Sequence, residues 1–115
     1  MFNILAILKY LAVLVTLATG IISLFWPRKI KGFTGLEASS PRALTEIRAV
    51  MGGTFIGLGL AALLMPTPEV FRTLGLAYAA IAVIRAISMF VDHAVERSNV
   101  ISLVSEIILV VMLVL

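Results

Sequence analysis

Cysteine is absent from the 115-residue chain, and histidine occurs once, at His93. The first absence excludes disulfides, thiolate metal sites, a cysteine nucleophile and covalently attached c-type haem. The second leaves His93 without a partner to complete a metal or bis-histidine haem ligand set. His93 sits between Asp92 and Ala94 in a short polar connection and reads as a solvated or headgroup-facing side chain. No HExxH, GxSxG, P-loop or dinucleotide fingerprint occurs, so no enzyme activity, catalytic residue, metal or cofactor is expected. Charge is the third scarcity. Only 13% of the residues are charged and 62% are hydrophobic, which is too little polar surface for a soluble monomer.

The apolar residues fall into four stretches: Leu11 to Trp26, Ala49 to Met65, Val70 to Phe90 and Val100 to Leu115. With helical flanks each reaches the ~20 residues that a membrane span requires. A soluble bundle would keep a polar stripe on every helix, and these stretches are apolar nearly all round. The expected fold is all-α: a single domain, 1–115, forming a four-helix transmembrane bundle with short connections and helices at about 4–26, 41–65, 68–91 and 99–115. The breaks carry helix punctuation. Trp26-Pro27-Arg28-Lys29 ends the first helix with an interfacial indole and basic residues beyond it. Ser40-Pro41 and Thr67-Pro68-Glu69 each supply an N-cap followed by proline at the first helical position. Ser98-Asn99 can cap the fourth helix. The segment Arg28 to Ser39 is the one connection long enough to be structured, with Phe33 and Leu36 available to the membrane interface.

Basic residues in short loops are retained on the cytoplasmic side. The first and third connections carry Arg28, Lys29, Lys31, Arg42 and Arg97, against Lys9 and Arg72 near the other side. Both termini of a multi-pass membrane protein are therefore expected outside. Ala18-Thr19-Gly20 is passable as a signal-peptidase site, but the residues before the apolar run lack a basic n-region and Lys9-Tyr10 resembles an interfacial anchor, so helix one is expected to be retained. The net charge of +3 fits topology and anionic lipid; without a basic stripe interleaved with aromatics, no nucleic-acid partner is expected.

Helix two holds Gly52, Gly53, Gly57 and Gly59 within eight residues, and Gly53 to Gly57 is a GxxxG pair of the kind that lets helices approach closely. Helical spacing puts Arg48, Gly52, Phe55 and Gly59 on one side and Glu46, Gly53, Gly57 and Leu60 on another, so helix two is expected at the centre of the bundle with a neighbour on each face. The stripe Thr16, Thr19, Gly20 and Ser23 on helix one is the complementary surface. Whether the close packing lies within the chain or between copies is left open by the spacing.

Arg85 and Glu106 each lie seven residues from the polar segment Asp92 to Asn99. A rise of about 1.5 Å per residue places both roughly 10 Å inside their helices, at one depth, where leaving either charge unpaired is costly. Arg48, seven residues after Pro41, falls at the same depth, and Ser88 and Asp92 share the face of Arg85, with Tyr78 continuing it. The expectation is a polar cluster of Arg48, Arg85, Glu106, Ser88 and Asp92. Two readings stand beside each other: the cluster fixes helix register, or it lines a proton, ion or anion path.

The run Glu46-Ile47-Arg48-Ala49-Val50-Met51-Gly52-Gly53, then Gly57-Leu58-Gly59-Leu60, Arg85-Ala86-Ile87-Ser88 with Asp92, and Glu106 in the last helix resembles a bacterial family of small four-helix membrane proteins known only as a domain of unknown function. The resemblance spans nearly the whole chain and implies a four-helix inner-membrane fold without an established activity. Three functions are open at this level. The leading one is an accessory or structural subunit packing against membrane lipids and other membrane proteins, or against itself, as in an energy-transducing or photosynthetic complex. The alternatives are a small homodimeric proton-coupled transporter or channel using Glu106, and a lipid or quinone binding module.

Overall fold

The computed structural model describes residues 3–115. Four helices among them are long and apolar enough to cross a membrane: α1 (Ile4–Phe25), α3 (Pro41–Leu64), α4 (Pro68–Val91) and α5 (Arg97–Val114); a short α2 (Lys31–Thr34) lies in the first connection. The chain is a multi-pass membrane protein with an all-α bundle fold.

Side-chain caps set three of the four starts. The Asn3 side-chain oxygen accepts from the Ala6 amide at 2.8 Å, Ser40 Oγ from Ala43 at 3.1 Å and Thr67 Oγ1 from Val70 at 3.2 Å, with Pro41 and Pro68 following their caps. Helix α5 starts differently from the expectation: its N-cap is Glu96, no side chain caps it, and Asn99 is committed elsewhere. Helix α4 ends with His93 in the left-handed region at φ 52°, where the His93 amide donates to Phe90 O and the Ala94 amide to Met89 O. This is the Schellman closure, usually built on glycine.

Packing runs in the order α3, α1, α5, α4, and α3 meets α4 only over a short stretch. Helix α1, together with α5, holds the middle, whereas helix two was expected there. The result is a flattened bundle, 47 × 30 × 18 Å along its principal axes, with one seam only partly closed. The core gathers Ala12, Val13, Ala62, Phe71, Leu74, Tyr78, Leu109 and Leu113. Tyr10 meets Phe71 edge-on at 5.9 Å. The first connection folds back under the bundle: Ile30 is fully buried, and α2 lies against α5 with Ser102 Oγ donating to Phe33 O at 3.4 Å. Phe33 and Leu36 stay exposed at this end.

The six residues Ile47–Gly52 of α3 form a π turn. Such turns add a residue to one helical turn and shift the faces on either side of it.

Candidate functional site

The most polar part of the membrane-spanning interior lies between α4 and α5. Glu106 is almost entirely enclosed, its side chain 11% exposed, and Arg85 meets it with one edge of its guanidinium: Nε donates to Oε1 at 2.8 Å and to Oε2 at 3.1 Å, and Nη2 donates to Oε2 at 2.7 Å. A guanidinium gripping both oxygens of a carboxylate is the strongest form of this pair and the most restrictive in direction. Nη1 donates to Asn99 Oδ1 at 2.9 Å, and Asn99 Nδ2 in turn donates to Ala94 O at 3.0 Å. The connection after α4 is thereby tied to the ion pair by one amide side chain.

Asn99 was read as a helix cap and is instead part of the cluster. It lies seven residues before Glu106, on the same face of α5, so the spacing that paired Arg85 with Glu106 also pointed to it. Ser88 and Asp92 do not join the pair; they line a cleft beside it, with Asp92 exposed.

Arg48 is not in the cluster. It is exposed, and its Nε donates to Leu24 O at 3.1 Å, in the last turn of α1. Carbonyls there have no intrahelical partner and carry the negative end of the helix dipole, so a cation is favoured. Depth was not the error. Phe55 and Tyr78 face each other across the α3–α4 seam with ring centroids 6.4 Å apart. Seven residues back along one helix and seven forward along the other reach Arg48 and Arg85. At that level, however, the arginine faces α1, which packs on the π turn, and no α3 residue lines the cleft beside Arg85.

The glycines divide in the same way. A Cβ on Gly20 would lie 2.7 Å from both Ile56 N and Ile56 Cγ1; on Gly52, 3.2 Å from Leu24 Cβ; on Gly59, 2.5 Å from Leu17 Cδ2. These three make the close α1–α3 seam, and Ser23 and Thr16 are buried beside it. Gly53 and Gly57, the GxxxG pair, have nothing within 4 Å and face outward. One small-residue face of helix two was expected to take one neighbour and the other a second; within the chain only the first is used.

Thr16 adds a second polar contact. Its hydroxyl donates to Ala12 O at 2.8 Å and lies 2.6 Å from Tyr78 Oη; with its one hydrogen committed, Thr16 accepts from the tyrosine.

The cleft flanking Arg85 has a volume of about 400 Å³ and is walled by Ala80, Ile81, Ile84, Ser88 and Met89 of α4, with Ala94 and Asn99 beyond them. No cluster of three or more metal-ligating side chains is present among the described residues.

Residues 4–115 match the family described as Domain of unknown function (DUF4345). The chain belongs to that family. No match to a curated protein or to a solved structure accompanies the family match. For this DUF4345 member the arrangement of α1, α3, α4 and α5, with Arg85, Asn99 and Glu106 joined inside it, therefore stands as the basis for a functional reading.

Proposed function

We propose that the chain is a non-enzymatic accessory or structural subunit of the bacterial inner membrane that packs against other membrane proteins, as in an energy-transducing or photosynthetic assembly, with both termini on the outer side. The observation that carries this is the outward Gly53–Gly57 face of α3, flanked by exposed Val50, Leu60 and Leu64. A glycine pair of this spacing contributes when another helix lies against it, because backbone contact replaces side-chain contact. The minimal connections and the apolar outer surface fit the same role, and the basic residues of the first and third connections support the orientation.

The reading of Glu106 as a transport carboxylate draws less support. Both of its oxygens accept from Arg85, and it is absent from the wall of the cleft. Proton flux in parent proteoliposomes that is lost in Glu106→Gln would restore it.

Because the chain has no cysteine, single cysteines report cleanly on the outer face. Val50→Cys and Leu60→Cys are expected to cross-link in membranes to a partner of defined mass. A product twice the mass of the chain identifies a second copy; a product of any other defined mass identifies another subunit. Cross-linking no greater than that of Val83→Cys, on the exposed side of α4, would remove the proposal.

A further inference from the structure

The cleft beside Arg85 is followed, toward the membrane centre, by a gap between α3 and α4. A smaller cavity of about 150 Å³, walled by Thr54, Phe55, Leu58, Leu74, Ala77, Tyr78 and Ile81, lies on the same face of α4 as the Arg85 cleft, and Ile81 borders both. Leu74, Tyr78, Ile81, Arg85, Ser88 and Asp92 follow one another at three- and four-residue steps, one continuous stripe. Its polar part runs from Arg85 over the last two turns of α4 to Asp92, and its other end is apolar and points to mid-membrane. This is the outline of an amphiphile lying parallel to the helices.

The polar end specifies the head. Arginine carries five N–H donors. One on Nε and one on Nη2 go to Glu106 and one on Nη1 goes to Asn99, so two remain on a side chain that is 29% exposed at the cleft wall. They are free to donate to an oxygen acceptor in the cleft. The Ser88 hydroxyl and Asp92 carboxylate stand one and two turns further along the same face and can receive a hydroxyl. A phosphate or carboxylate head is disfavoured, because Glu106 already neutralises Arg85 and Asp92 adds a negative charge at the mouth. We infer that the groove along this face of α4 binds an uncharged amphiphile, a hydrocarbon chain with a carbonyl- and hydroxyl-bearing head held by Arg85, Ser88 and Asp92. A neutral glyceride and an isoprenoid quinone share that chemistry.

The test uses the purified full chain in dodecylmaltoside with three probes: dioctanoylglycerol, decylubiquinone and dioctanoyl phosphatidylglycerol. Thermal unfolding and native mass spectrometry are read for each. One neutral probe is expected to raise Tm saturably and to give a one-to-one adduct, and which of the two does so names the source. Ala80→Trp fills the cleft from its exposed wall without touching the ion pair, and is expected to keep the parent's Tm while weakening that binding about tenfold or more. Ser88→Val, which removes only a head contact, is expected to weaken it less. Three outcomes would overturn the inference: no response to either neutral probe, a response unchanged in Ala80→Trp, or phosphatidylglycerol as the strongest ligand.

Discussion

The two tight seams of the bundle are built on opposite principles. Between α1 and α3 the helices meet because side chains are missing: Gly20, Gly52 and Gly59 let the facing residues come within contact of the backbone. Between α4 and α5 Gly75 admits Val114 at one end, but at the other the helices meet around side chains that are long and charged, Arg85 and Glu106, joined by Asn99. The first seam gains from dispersion over a close fit, which acts at short range. The second gains little net stability, since desolvation offsets most of the Coulomb attraction, but it penalises any arrangement in which the charges separate. One seam supplies adhesion and the other supplies register.

That contrast can be broken most forcefully at the ion pair. Arg85→Ala leaves an enclosed carboxylate and is expected to cost about 3–5 kcal/mol, as is Glu106→Ala, while the double substitution should cost less than the sum. Unfolding of the four variants in a denaturing-detergent titration checks this, and additive losses would mean that the two side chains act independently. The glycine seam should respond to a single methyl. Gly20→Ala would drive a Cβ into Ile56 N, and a loss of about 1–3 kcal/mol is expected in the same titration, because backbone must move to accept it.

The outer face of α3 sharpens the comparison by reversing its sign. Gly57→Ala meets nothing within the chain, so the isolated protein is expected to gain up to about 1 kcal/mol from helix propensity. If a partner helix occupies that face in the membrane, the same substitution should reduce cross-linking from Val50→Cys. The smallest effect belongs to the end of α4. His93→Gly relieves a left-handed conformation that costs an L-residue about 1–2 kcal/mol, less the greater freedom that glycine gains on unfolding, so a net gain below about 1 kcal/mol is expected in thermal unfolding.

Much of this organisation could be read from the residues in order. Hydrophobic run length and the Ser40-Pro41 and Thr67-Pro68 caps locate the helices, because both signals are local. The Arg85–Glu106 contact was legible for a related reason: two consecutive helices joined by a short connection must be antiparallel, so equal distance from the connection means equal depth. Depth says nothing about azimuth, and Arg48 shows the consequence. It lies level with Arg85 yet faces α1, because the direction in which a helix presents a residue depends on how all its neighbours are arranged. The two glycine faces of α3 could not be ranked for the same reason. The π turn left no sequence signal that helical periodicity could register, since from Ala49 onward the residues are apolar or small on every side. Asn99 was missed through a competing reading: asparagine near a helix start suggests a cap, and Glu96 had already taken that position.

The π turn in α3 carries an implication for length variation. A helix that spends one residue more than usual on a single turn has absorbed the equivalent of a one-residue insertion, with the phase slip confined to Ile47–Gly52. Removing one residue there would restore ordinary winding. Because the slip is confined to that turn, the halves of α3 on either side would keep their faces toward their neighbours.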